Sequence, residues 1–169
     1  SGLAAGETAL QPLTQAWQQL SKAQRQEPSL LLAYAEQLRA LGAEPDAEEL
    51  LRHALKHHYD ASLVTLYGTL CGHDPKAQLH AAEGWLKQQP DDAQLLLALG
   101  RLALQNRLWD KAREYLEASL AQSRSATACA ELARLLAHQG EIARSNQLFQ
   151  EGLGLLEHPL PSLPLPELS

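Results

Sequence analysis

Strand-forming residues are almost missing from this chain. Valine and isoleucine occur once each in 169 residues, at Val64 and Ile142, and these branched side chains are the ones that pack best on a pleated surface. A sheet of any size is excluded. Cysteine is scarce as well. Cys71 and Cys129 are too few for a disulfide framework, and each stands among apolar helix positions, where it reads as a small core residue. No block of Lys or Arg appears, and 14 basic against 20 acidic residues leave a formal net charge of −6, so the electrostatic footprint of a nucleic-acid binder is absent. No run of about 18 apolar residues is found, since even the stretch from Leu95 to Leu99 is broken at Arg101, and no segment has the length of a bilayer span. The opening SGLAAGETALQ lacks the basic-then-apolar order of a signal peptide. What the chain has instead is 37 Leu and 27 Ala. These are the best apolar helix formers, and they predict an all-α protein.

An internal repeat organises the helices. Asp92 to Asn106 aligns with Ser125 to Gln139 at an offset of 33, bringing Leu99, Gly100, Arg101 and Leu102 over Leu132, Ala133, Arg134 and Leu135. Leu108 to Leu120 falls on Glu141 to Leu153 at the same offset, and Ser62 to Gly72 matches the first of these helices at an offset of 32. Four helix pairs result. First helices carry a small residue (Ala35, Gly68, Gly100, Ala133) where they must approach a neighbour. Most second helices answer with Ala, then Leu or Phe, then a small residue at i, i+4, i+7, as in Ala112, Leu116 and Ser119. Pro28, Pro45, Pro75 and Pro90 fall at or just before predicted helix starts, Asp74, Asp92 and Ser125 have the chemistry of N-caps, and Gly42 and Gly140 close first helices.

This punctuation predicts nine helices near 8–24, 29–41, 46–57, 61–72, 76–88, 92–105, 109–121, 125–138 and 141–156. Residues 1–27 then form a leading helix, the second half of a repeat whose first half lies upstream. Residues 28–156 form four repeats. Residues 157–169, with four prolines, form an extended Pro/Leu-rich tail.

Helix–turn–helix units of this length, with Leu99-Gly100 in a first helix and Ala112, Tyr115 and Leu116 in a second, resemble the tetratricopeptide repeat. The resemblance implies a right-handed superhelical α-α solenoid. Within that superfamily, Leu63 to Leu70, Ala81 to Leu120 and Ala130 to Leu136 resemble the C-terminal half of the bacterial HemY-type protein associated with haem biosynthesis. That resemblance implies a soluble fragment of an inner-membrane protein whose N-terminal membrane helices are missing, acting as a scaffold near tetrapyrrole-pathway enzymes; the lack of paired cysteines favours the cytoplasmic side. No GxGxxG occurs, so the flavin-dependent oxidase that shares the name is a different protein.

No residue set points to catalysis. There is no GxSxG elbow, and Glu48 and Glu49 read as first-turn carboxylates facing a helix dipole. His53 and His57 are i, i+4 and are weak metal candidates without a third ligand at fixed spacing; no metal is expected. Neither a Cys-Pro dipeptide nor CxxCH is present, so no cofactor is indicated, with haem or porphyrin kept as an alternative ligand through groove arginines and a histidine. Trp85 and Trp109 read as packed, and Trp17 as partly exposed.

The remaining functional surface is the concave face of the first helices. Its residues are Ser29, Leu32, Glu36 and Arg39; Ser62, Thr65, Thr69 and His73; Gln94, Leu97, Arg101 and Gln105; and Thr127, Arg134 and His138. Three arginines and two histidines against one glutamate predict a basic groove on an acidic protein, suited to a protein or peptide ligand carrying carboxylates. The groove has no Lys, so the Lys/Asn carboxylate clamp of chaperone-tail binders is not matched. A merely solvated polar face is the alternative.

Overall fold

The computed structural model describes residues 2–158 and 160–167, with the backbone alone for residues 2–5 and 7. Ser1, Pro159, Leu168 and Ser169, which the leading and tail segments include, lie outside the described residues. The elements are α1 (Gly2–Gln18), α2 (Lys22–Arg25), α3 (Pro28–Ala40), α4 (Glu44–His57), α5 (Ala61–Tyr67), α6 (Pro75–Leu86), α7 (Ala93–Gln105), α8 (Trp109–Gln122), α9 (Ala126–His138) and α10 (Ile142–Gly154). No strand occurs among the described residues. Four successive pairs, α3–α4 to α9–α10, stack into a solenoid. Residues 160–167 follow without helix or strand.

Local chemistry sets the helix ends. Asp74, Asp92 and Ser125 accept backbone N–H bonds at the starts of α6, α7 and α9, and Asp60 does so for α5. At the ends of α3 and α9, Gly42 and Gly140 take φ of +82° and +84°. The next N–H then turns back five residues, Ala43 to the Leu38 carbonyl at 2.8 Å and Glu141 to that of Leu136 at 2.9 Å. α7 ends in the same way with Arg107 at φ +58° and Leu108 bonded to the Ala103 carbonyl at 3.0 Å, although Arg carries a Cβ that disfavours this region.

Two expected helices differ. The leading helix is not one element. Ser21 and Gln24 form a reciprocal capping box, with bonds of 3.1 and 2.9 Å, which starts α2 as a separate turn. The helix expected over 61–72 stops at Tyr67. Beyond it, the amide of Gln78 reaches back from α6, donating to the carbonyls of Tyr67 (3.2 Å) and Leu70 (2.8 Å) and accepting from the Gly72 N–H (3.1 Å). The unwound backbone is thereby satisfied by a side chain that is 1% exposed.

The crossings follow the small residues. A Cβ on Gly100 would stand 2.7 Å from the Leu116 side chain of α8, and one on Gly152 would stand 3.1 Å from the Cβ of Cys129. Ser119 and Ser145 are buried at these crossings and donate to the carbonyls of Ala93 (2.8 Å) and Ala133 (2.6 Å). Gly68 breaks the pattern: its close neighbour is Ala98 of α7, with a Cβ position 2.7 Å from Ala98 Cα and Cβ, rather than its own pair partner α6.

Three residues, Cys71, Trp109 and Glu48, sit differently from expectation. Cys71 is exposed, because the chain has left the helix there; Cys129 is buried, and both thiols are free. Trp109 is 47% exposed. Glu48 is 6% exposed rather than solvated, held by the Tyr67 hydroxyl at 2.9 Å and Arg52 at 3.0 Å. Burial beside that carboxylate drives the Tyr67 hydroxyl well above the ordinary tyrosine range. Trp17 is half-buried, stacked on Tyr34 with ring centroids 4.3 Å apart.

Candidate functional site

Polar side chains of the first helices tie neighbouring pairs together. Arg39 on α3 donates to the Thr69 hydroxyl at 3.2 Å. Thr65 on α5 donates to the Gln94 amide oxygen on α7 at 3.1 Å. Arg101 on α7 lies 3.8 Å from Glu131 on α9, and Arg134 lies 3.2 Å from the same carboxylate. Glu36, His73 and His138 are exposed along this track.

Three expectations change. Leu97 is 5% exposed and packed in the core shared with α8 and α9, since α7 lies between neighbours and is apolar nearly all round. Gln105 turns inward, donating to the Leu70 carbonyl at 3.1 Å, and so supports the unwound end of α5. The arginine ladder is less basic than residue counting predicts, because Glu131 stands between Arg101 and Arg134. Arg101, with 19% of its side chain exposed, is engaged, whereas Arg134 keeps 74% exposed. The groove thus concentrates its available positive charge at its two ends, Arg39 and Arg134. Sequence reasoning missed Glu131 even though its i, i+3 spacing to Arg134 was readable.

The Arg134 end has a cavity of about 650 Å³. Its apolar wall is Leu104, Trp109 and Leu135, and its polar rim is Glu131, Arg134 and His138. The geometry comes from the left-handed turn at Arg107, which directs the chain from α7 into α8 so that Trp109, the first residue of α8, stands against the last turns of α9. An exposed aromatic beside a solvent-facing guanidinium can seat an apolar side chain and bind a neighbouring carboxylate.

The outer face of the second helices is charged but internally paired. Glu117 pairs with Arg144 at 2.7 Å, Glu151 with Arg124 at 2.5 Å, Glu141 with Arg113, and Glu83 with Lys111 at 2.7 Å. Hydrogen bonds from Arg113 and Arg124 hold the Glu141 and Glu151 carboxyls below the ordinary range. His53 and His57 are exposed on α4 with their rings edge to face at 4.9 Å. Among the described residues no group of three or more His, Cys, Asp or Glu is arranged to hold a metal ion. Among them, too, no helix is long and apolar enough to cross a membrane.

No protein-family model matches the chain, and no curated protein matches its sequence. Solved structures do match in shape. A structure titled "Crystal structure of MamA protein" superposes with a TM-score of 0.58 at 17% identity, covering 96% of each chain. "MamA 41-end from Desulfovibrio magneticus RS-1" gives 0.57 at 13% identity, covering 92% of this chain and 95% of that one. The fold is therefore an all-α solenoid of tetratricopeptide-like helix pairs.

Proposed function

We propose that the protein is a non-catalytic interaction module that captures an extended segment of a partner protein along the first-helix face. An apolar side chain of the partner sits between Leu104, Trp109 and Leu135, and an adjacent carboxylate pairs with Arg134 beside His138. The observation that carries this reading is Trp109, a large aromatic left 47% exposed at the wall of a cavity that also holds Arg134, whose side chain is 74% exposed. Exposed aromatics and arginines in such pockets are the residues that dominate recognition energies.

Selection of a random-peptide display library on the chain tests it. The reading expects peptides with an apolar anchor next to Asp or Glu, whose binding falls about tenfold or more, roughly 1.4 kcal/mol, in Trp109→Ala and in Arg134→Glu. Binding should be unchanged in Lys87→Glu, an exposed site away from the groove. Peptides that bind equally well to both groove variants overturn it. Arg101→Glu is a poorer probe, because it sets two carboxylates against each other at Glu131.

The resemblance of Leu63 to Leu70, Ala81 to Leu120 and Ala130 to Leu136 to HemY-type proteins supports a narrower reading, in which the partner is an enzyme of tetrapyrrole metabolism at the inner membrane. A second ligand class is favoured by the proximity of Arg134, His138 and Trp109, which are residues able to meet a porphyrin's propionate, iron and ring face. Glu131 in the same wall opposes a propionate. Titration with haem separates the two: a Soret shift lost in His138→Ala supports the porphyrin, and no shift removes it.

A further inference from the structure

A cavity larger than the one at Trp109 lies away from the groove, at the other end of the helix order. It holds about 970 Å³ and opens between α1–α2 and the junction of α3, α4 and α5. Leu31, Leu50 and Leu63 line its floor, and Trp17 forms one wall. The Trp17 ring is held in place by its stack on Tyr34, with the planes 5° apart. Cationic and imidazole side chains make up most of the polar rim: Lys22 and Arg25 from α2, His53 and His57 from α4, and His58 after it, with Gln26 and Asp60 between them. Neither Lys22 nor Arg25 has an ion pair among the described residues, whereas seven other basic side chains do. The single acid in the lining, Asp60, is occupied in accepting the N–H bonds of Ser62 and Leu63 at the start of α5. On a chain of net charge −6 this is a local reversal of sign over an apolar floor.

The tail is its chemical complement. After α10 the chain runs through Leu160, Pro161, Leu163, Pro164, Leu165 and Pro166, flanked by Glu157 and Glu167 and containing no Lys or Arg. Leu160, Leu163 and Leu165 are 65, 68 and 84% exposed. A proline-rich segment is already extended, so docking it on an aromatic wall costs little ordering entropy, and such segments bind aromatic-lined clefts.

We propose that the tail of one copy docks in the Trp17 cleft of a second copy, its leucines on the apolar floor and its glutamates toward Lys22 and Arg25. Cleft and tail lie at opposite ends of the helix order, so the contact is heterologous: each bound copy presents a fresh tail and a fresh cleft, and association grows as a chain rather than closing as a symmetric dimer. The site is separate from the groove around Trp109 and does not rest on the function assigned there.

Sedimentation velocity of the full chain at low salt tests this with two variants. One reverses the rim (Lys22→Glu with Arg25→Glu); the other removes the apolar tail contacts (Leu160→Ser, Leu163→Ser and Leu165→Ser). All five side chains are exposed, so neither variant disturbs the core, and circular dichroism checks this. Expected are assemblies that grow with concentration for the unaltered chain and shrink as salt rises, monomers for each variant alone, and a one-to-one dimer when the two variants are mixed. The dimer follows because the rim variant still offers a tail and the tail variant still offers a cleft. Trp109→Ala with Arg134→Glu should associate like the unaltered chain. A monomeric unaltered chain at all concentrations, a mixture that forms no dimer, or association abolished by the Trp109 and Arg134 changes overturns the proposal.

Discussion

The α7–α10 half and the α5–α6 pair solve the same packing problem by different means. In α7–α10 the pairs meet at small residues, the buried hydroxyls of Ser119 and Ser145 bond across the crossings, and α7 and α9 end in five-residue returns. Ion pairs from Arg113, Arg124 and Arg144 add ties on the outside. In α5–α6 the first helix is only seven residues long, Gly68 leans on the following pair, and the backbone that leaves the helix is held by the buried amide of Gln78 with help from Gln105. A repeat can therefore lose its regular hydrogen bonding provided one polar side chain replaces what the lost turn supplied. The regular half carries the proposed capture site, where preorganisation matters most.

The largest effect is expected at Gly68. Gly68→Ala places a Cβ against the backbone of Ala98, which cannot yield, and should destabilise by about 3 kcal/mol, whereas Gly100→Ala presses on the buried Leu116 side chain rather than on backbone and should cost less. Urea melts of the two variants compare them directly, and equal losses would erase the distinction between the regions. Next comes Gln78→Leu. It strands the Gly72 N–H and takes one donor from the Tyr67 and Leu70 carbonyls under the α5–α6 connection, and should cost about 2 kcal/mol, while leaving amide exchange in α9 and α10 ordered as before relative to global unfolding.

Smaller and opposite in sign is Arg107→Gly, which relieves a side chain at φ +58° and should raise stability by about 0.5–1 kcal/mol, visible as a higher melting temperature. The smallest is the acid limb. The Glu141 and Glu151 carboxyls titrate below their unfolded value of about 4.3 because of Arg113 and Arg124, so their contribution is present above that value and lost as pH falls through the lowered folded one. Denaturant melts between about pH 4.3 and more acidic values should decline more steeply for the unaltered chain than for Arg113→Gln with Arg124→Gln.

Much of the fold could be read from residue types alone. The Leu and Ala content, the offsets of 32 and 33, the capping aspartates and serine, and Gly42 and Gly140 all act within a turn or two of their own position. Hidden features depended on distant partners. Ser62 to Gly72 has the same apolar spacing as its counterparts, and the reach of Gln78 from α6 and of Gln105 from α7 lets α5 stop early. Glu48 is buried because Tyr67 lies one helix away to satisfy it, and Trp109 is exposed because a non-glycine residue adopts a left-handed turn before it. In the candidate site, face arithmetic listed Thr65, Gln94, Arg39 and Thr69 on one face, and the structure adds that Thr65 bonds Gln94 and Arg39 bonds Thr69. It overstated Leu97, which sits in a helix buried on nearly every side, and it overlooked the charge that Glu131 removes.

The capture site can be read from the three tryptophan indoles, which report on three places: Trp17 in the α1–α5 cleft, Trp85 packed edge-on against Tyr67 at 5.0 Å, and Trp109 at the groove end. A two-dimensional ¹H–¹⁵N spectrum of the full chain, titrated with an acidic, apolar peptide selected on it, measures all three at once. The account predicts a saturable shift of the Trp109 indole with amide shifts along the last turns of α7 and α9, while the Trp85 indole stays in place and the Trp109 response is lost in Arg134→Glu. Saturable binding that leaves the Trp109 indole unmoved, with shifts confined to the outer faces of α8 and α10, would contradict it.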